Sequence, residues 1–468
     1  MKQFYNVTTK FNNYVLTLSL NDSLKKSLLY SIYSLIFVFF VLNAQLLIVP
    51  FSIKYFVIMI CILTASLLSL TSKNVIKITK RNTALYIGFI LIGVSFLVTG
   101  LILNVIGYIA YAIFFLLIVP WICVSDIDWV LQIRCICNIG CIVNIIFLFF
   151  SFALCPLEEG VAYSSFVGNP NMLGMYMTLF VIFILYQNKS KPIDTVNQCL
   201  RLIVLVIDIV FIGLSESRGA MLATAAILMV NAFFHFKKRK SIPIKKILLF
   251  IIAFLVLWNL SILFLTNVTY HEVNESLKNN NVVDTENQTE VGSEDDSTLN
   301  IDGNNFEIIP DDASGVDNYI EQDEVNTREE HVLNKIFKGI FNNSRFTSGR
   351  VEIWLNFIKE IRVLGHTSEN LEITTAIDGT QIRDAHNGIL QISYSAGLFA
   401  GIGLSVIVFY AVIVLAKKIK CTSISKEGYI VIAISCVFLI YLMISAMYSP
   451  LYCFISFIFW STAIKALC

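Results

Sequence analysis

Three ionisable side chains of this 468-residue chain stand at the ends of apolar or amphipathic runs, where charge is costly and tends to be functional: His386, Arg218 and Arg350. His386 ends the stretch Arg383-Asp384-Ala385-His386-Asn387-Gly388, after which an apolar run resumes at Ile389. An imidazole, with an ordinary pKa of about 6.5, can take the proton of a hydroxyl as general base. Guanidiniums hold phosphate oxygens through paired hydrogen bonds and need no metal ion to do so. Arg218 follows Ser215-Glu216-Ser217 in a tight turn between two apolar runs. Arg350 follows Phe346-Thr347-Ser348-Gly349 and opens a segment carrying Trp354. Each also has an ordinary reading: Arg218 can pair with Glu216 or cap a helix, Arg350 can fill the first turn of an amphipathic helix, and His386 can bond a carbonyl at a membrane surface.

The loop Ser165-Phe166-Val167-Gly168-Asn169-Pro170-Asn171-Met172-Leu173-Gly174 precedes another apolar run. Asn171 reads as the helix cap, Pro170 as the turn and Gly174 as a point of close helix approach. Asn169 is left over, and its amide suits a sugar or a phosphate. Asp384 or Asn387, by nearness in sequence, are the candidates to orient the ring of His386. His271, His331 and His366 are weaker candidates, and His366 follows Leu364-Gly365, which reads as a turn. Of the eleven cysteines none lies in 267–387, so no disulfide framework is expected there. Cys135, Cys137 and Cys141 lack histidine partners and read as small packing residues.

The elements that must position these residues are membrane helices. Hydrophobic residues make up 56% of the chain and charged ones 14%, too little polar surface for a soluble protein of this length. Crossing the hydrocarbon core takes about 20 mostly apolar residues. Runs near that length occur at 28–49, 53–71, 84–102, 104–124, 137–156, 172–187, 199–215, 219–236, 246–266, 388–416, 428–446 and 450–466. The expected class is therefore an all-α polytopic membrane protein of about twelve transmembrane helices. With both termini inside, the inner segments collect 23 of the 34 basic residues, as the positive-inside rule requires.

That topology divides the chain into helices one to nine (1–266), a long extracytoplasmic loop (267–387) and helices ten to twelve (388–468). The loop holds 24 acidic and 9 basic residues, a net charge of −15. Its part 272–330 is polar, acidic and poor in aromatics, the composition of a mobile insert. In 331–387 the pattern changes: Val332, Ile336, Phe337, Ile340 and Phe341, then Val351, Trp354, Leu355, Phe357 and Ile358, recur at helical spacing. Two short amphipathic helices against the outer mouth are expected, the second capped by Thr347 or Ser348. Arg218, Arg350 and His386 then share one outer level.

Taken in order, four segments resemble the O-antigen ligase and O-antigen polymerase superfamily of bacterial membrane glycosyltransferases. They are Gly168-Asn169-Pro170-Asn171 before a span; Arg218 with Leu222 as Arg-x3-Leu; Ser348-Gly349-Arg350 with Trp354; and His386 with Gly397 as His-x10-Gly. The resemblance covers about 165–410. It implies a glycan donor carried on undecaprenyl diphosphate, a glycan or surface acceptor, a place in the bacterial cell membrane, and a metal-independent transfer without cofactor. It gives Arg218 and Arg350 the role of neutralising the leaving diphosphate, His386 that of general base, and Asn169 and Asn387 places in substrate binding. Leu222, one turn below Arg218, is expected to hold its helix, and Gly397 to let a neighbouring helix pack against a continuous span. An apolar groove between helices is expected to take the donor's lipid tail. The acidic insert has no counterpart in these motifs.

Two acceptors suit such a donor. Polymerisation of repeat units into an O-antigen, capsule or exopolysaccharide is favoured narrowly by the Ile-, Asn- and Lys-rich composition. Ligation of a finished glycan is favoured by the His-x10-Gly spacing. A transporter or flippase, which twelve spans would suit, normally carries ionisable groups near the midplane. Here Asp208 is the main one.

Overall fold

Inside a bilayer every backbone polar group must be satisfied within its own segment, which helices achieve alone. A computed structural model of the chain describes residues 2–17, 20–46, 51–75, 82–155, 157, 162–190, 195–237, 254–261, 350–367, 373–374, 381–382, 384–420, 425–449 and 453–468. The helices are α1 (Lys2–Thr17), α2 (Asp22–Leu46), α3 (Phe51–Leu68), α4 (Thr83–Ile102), α5 (Ile106–Val124), α6 (Trp129–Leu154) and α7 (Pro170–Ser190). They continue with α8 (Thr195–Leu214), α9 (Arg218–Lys237), α10 (Arg350–Glu360), α11 (Gly388–Ala396), α12 (Leu398–Lys420), α13 (Lys426–Ile444) and α14 (Phe454–Leu467). Among the described residues eight helices are long and apolar enough to cross a membrane, and three shorter apolar ones lie in α3, α9 and α14. The protein is a mostly helical, polytopic membrane protein. Of the expected run 246–266 only 254–261 is described, as helix; the acidic stretch 272–330, the expected helix at 332–341 and the caps Thr347 and Ser348 lie outside the described residues.

One expected span is corrected. The run 388–416 is not a continuous helix but α11 and α12, separated at Gly397, whose φ of 100° and ψ of 166° end the first helix. The chain turns so sharply that a Cβ on Gly401 would meet the Ser393 hydroxyl at 1.8 Å and the Ile389 carbonyl at 3.5 Å. Hydropathy cannot register such a break, because glycine is neutral on that scale and both arms are apolar.

Packing of the bundle follows small and aromatic residues. Helices α4 and α12 touch backbone to backbone: a Cβ on Gly88 would lie 2.8 Å from the Gly403 carbonyl, and one on Gly403 would lie 2.7 Å from that of Gly88. Small residues at such a crossing let dispersion contacts form along the whole interface. Trp460 of α14 is fully buried, edge-on to Phe115 at 5.2 Å and to Phe89 at 6.4 Å, while its Nε1 donates to the Tyr448 carbonyl at 2.8 Å. Cys135 and Cys137 are buried along α6, as packing residues. Asp208, also buried, accepts from Asn144 Nδ2 at 2.9 Å and links α8 to α6.

The far end of the bundle carries features that hydropathy did not signal. Strand β1 (Leu70–Val75) pairs antiparallel with β2 (Ser125–Ile127). Helix α1 is pinned there by Asn12, which accepts from Trp121 Nε1 at 3.0 Å and donates to Ser125 Oγ at 3.3 Å. At the His386 end a second pair, β3 (Ile373–Thr374) with β4 (Gln381–Ile382), leads toward α11.

Candidate active site at the His386 end of the bundle

The local sequence explains why His386 stands where it does. Asn387 is the N-cap of α11: its Oδ1 accepts from the backbone N–H of Ile389 at 3.0 Å and Leu390 at 3.2 Å. Three residues earlier Asp384 makes a tighter turn, its Oδ1 accepting from the His386 N–H at 2.8 Å. These two side chains bracket His386 and hold it at φ +44°, a left-handed conformation that a side-chain-bearing residue adopts at a cost of about 1 kcal/mol or more. The same Asp384 oxygen lies 2.9 Å from His386 Nδ1, both side chains being partly exposed (42% and 44%). A carboxylate can only accept, so in the neutral ring the proton sits on Nδ1 and the lone pair on Nε2. Of the two sequence candidates for orienting the ring, Asp384 does so.

Asn387 and Gly388 dock this turn on the last turn of α13. Asn387 Nδ2 donates to the Met443 carbonyl at 3.4 Å, and a Cβ on Gly388 would run into Leu442 at 2.3 Å. The Arg218 turn docks beside it, where a Cβ on Gly219 would meet Ile444 at 2.3 Å. Arg218, exposed, begins α9 after the three-residue turn Ser215-Glu216-Ser217, in which Glu216 takes φ +50°. The end of α13 is thus a shared seat for the loops of His386 and Arg218.

Arg350 is the first residue of α10. One turn later Trp354 donates its Nε1–H to the Ala385 carbonyl at 2.9 Å, and Phe357, Ala385 and Tyr394 form a small buried cluster. The helix that Arg350 opens is therefore tied to the residue preceding His386. The first of the two amphipathic helices expected here falls on residues outside the described set; the second is α10.

The 165–174 loop joins the same end. A Cβ on Gly174 would lie 2.6 Å from Ala220 Cβ and 2.9 Å from Ser217 Cβ, so α7 packs closely beside Arg218, as the glycine suggests. Its cap is a correction: Asn169, not Asn171, caps α7, with Oδ1 accepting from the N–H of Asn171 at 2.9 Å and of Met172 at 3.2 Å. Pro170 occupies the first helical position, where a missing N–H costs nothing. The side-chain oxygen of Asn169 is committed to the fold, and both ends of the Asn387 amide are too. Among the described residues Leu222 is 55% exposed, and one further expectation changes: Gly397 is a turn, not a packing point within a helix.

Sequence reasoning missed the residues that hold α11 in place. Buried Gln391 accepts from the Ala385 N–H at 2.8 Å. Ser95 and Thr99 of α4 donate to the Ala396 carbonyl at 2.7 and 3.1 Å, satisfying one of the orphan carbonyls of a helix end. A strap, residues 361–366, crosses the α11–α12 turn: Arg362 O accepts from Leu398 N at 2.9 Å, and Ser395 O accepts from His366 N at 3.2 Å. Side-chain hydroxyls within apolar helices were the available signal, but serine and threonine there bond their own helix as often as a neighbour.

Chemically this end of the bundle presents a histidine with a carboxylate partner and an exposed guanidinium on adjoining turns, with the Arg350 helix fastened alongside. Beneath it an apolar groove of about 770 Å³ runs from Ile389 and Ser393 along α12 to Lys417. Neither a curated protein nor a solved structure matches the chain. Residues 203–405, which include Arg218, Arg350, His386 and Gly397, match the family described as O-antigen ligase. That match sets this segment within the O-antigen ligase and O-antigen polymerase superfamily.

Proposed function

We propose that the protein transfers a glycan from undecaprenyl diphosphate to a hydroxyl of an acceptor, with His386 as general base and Arg218 and Arg350 balancing the charge on the diphosphate. The observation that carries this reading is the Asp384–His386 pair at 2.9 Å. It leaves Nε2 of the neutral ring able to accept a proton and offers a carboxylate to the imidazolium that results. As the acceptor oxygen attacks the anomeric carbon, the glycosidic bond to the diphosphate breaks and its electrons leave on phosphate oxygen. Guanidiniums suit that developing charge through paired hydrogen bonds. The lipid tail of the donor lies in the groove that begins at Ile389, and the His386 end faces the extracytoplasmic side, as the placement of lysines and arginines favours.

Polymerisation of repeat units is the acceptor chemistry we favour; ligation of a finished glycan to a surface acceptor is the second reading, supported by the description of the family that 203–405 matches. The test replaces His386 with Ala in membranes that retain the protein and follows lipid-linked glycan. Single repeats accumulating at the expense of long chains support polymerisation, and long chains retained on the lipid support ligation. Surface glycan indistinguishable from that of the natural chain sinks the catalytic role of His386.

A further inference from the structure

We propose that His366 is a positioning residue: its imidazole fixes the helix opened by Arg350 against the helix that follows His386. The catalytic consequence rests on the function proposed above, whereas the structural lock does not. Helix α10 ends at Glu360, and its last carbonyls lack intrahelical partners. His366 Nε2 lies 2.8 Å from the Glu360 carbonyl. A carbonyl only accepts, so Nε2 carries the proton and caps the helix. The same ring stacks on Tyr394 of α11, with centroids 4.0 Å apart and planes inclined by 10°. Tyr394 is itself buried and also meets Phe357 of α10, edge-on at 5.2 Å.

One ring thus bonds α10 and stacks on α11 simultaneously. Its backbone adds a third attachment through the Ser395 carbonyl, and the preceding Gly365 N–H donates to Thr99 Oγ1 at 3.2 Å. A Cβ on Gly365 would fall 1.9 Å from that same Ser395 carbonyl, so the strap has little freedom to shift. Trp354, the fifth residue of α10, tethers it to Ala385, and His366 tethers its end. Two tethers more than a turn apart on an eleven-residue helix oppose both sliding and swivelling, where one alone leaves a pivot. The imidazole is needed because it combines a flat face with an in-plane donor: Phe keeps only the face, and Gln keeps only the donor.

The test uses the full chain in lipid nanodiscs, with His366→Ala, His366→Phe and His366→Gln. Hydrogen exchange over 353–366 and 388–398 is read beside kcat and KM for transfer from a synthetic polyprenyl-diphosphate oligosaccharide. His366→Ala is expected to speed exchange in both segments by about tenfold, the scale of one lost hydrogen bond. It is also expected to lower kcat with KM for the acceptor little changed, with Phe and Gln each restoring part of both. Natural exchange in all three variants overturns the lock, and faster exchange with an unaltered kcat overturns the positioning role. If the natural chain transfers no glycan, the functional reading falls, and the exchange arm alone still decides the lock.

Discussion

Replacing Gly397 with Ala tests the site's architecture without touching any group assigned to chemistry. At φ 100° and ψ 166° the residue occupies a region that only glycine populates readily, and a side chain there costs about 1–3 kcal/mol in backbone strain. The new methyl would also stand 2.2 Å from the Val363 carbonyl and 3.1 Å from the Gly365 nitrogen. Both are backbone atoms of the strap, so relief requires the strap to move rather than a side chain to swing. Moving it lengthens the bond from Leu398 N to the Arg362 carbonyl and that from His366 N to the Ser395 carbonyl, about 1 kcal/mol each. The sum is about 3–5 kcal/mol. It can be read by SDS-titrated unfolding of the purified protein followed by circular dichroism. Gly401→Ala is the control, since its nearest contacts are side-chain atoms of Ser393 rather than backbone of the strap, and Gly401 lacks the positive φ of Gly397. A Gly397→Ala loss below about 1 kcal/mol, or one no larger than the Gly401→Ala loss, would refute the account of the turn.

Three further outcomes are expected. Asp384→Asn keeps an oxygen for the His386 N–H but removes the charge beside Nδ1, so kcat for glycan transfer falls by about tenfold with KM held, a modest loss because the pair is solvent-screened; an unaltered kcat removes Asp384 from the mechanism. Arg218→Lys supplies charge without the planar fork and lowers transfer by about ten- to a hundredfold, checked in the same assay after confirming membrane abundance. Trp354→Phe deletes the bond to the Ala385 carbonyl, at about 1 kcal/mol, and should reduce turnover while leaving bundle unfolding nearly unchanged; equal effects on both would show that Trp354 supports the fold generally.

The membrane helices were legible because a bilayer demands long apolar segments, and each described span falls on a run visible in the hydropathy. His386, Arg218 and Arg350 stood out because ionisable groups at the ends of such runs are costly. What stayed hidden depended on backbone geometry and distant partners. Asn169 and Asn171 both have capping chemistry, and only the helix start at Pro170 decides which one caps. Gly397 reads as a packing glycine until its φ is known. His366 reads in the sequence as an ordinary turn residue because Tyr394 and the Glu360 carbonyl come to it from two other helices. Helix α1 and the β1–β2 pair leave no local signature in the sequence because their anchors, Asn12 to Trp121 and Ser125, are more than 100 residues apart.

The bonds from Ser95 and Thr99 to the Ala396 carbonyl join residues 301 and 297 positions apart. At a synthesis rate of about 5–20 residues per second, α4 enters the bilayer roughly 15–60 s before its partner exists. Throughout that interval the Gly88 face of α4 and its two hydroxyls must be covered by lipid, by a neighbouring early helix or by the insertion machinery. Assembly of the His386 end is therefore a late event in biogenesis, dependent on the last third of the chain. Variants that weaken the α4–α12 seam should lower yield through degradation during synthesis before they alter the finished protein.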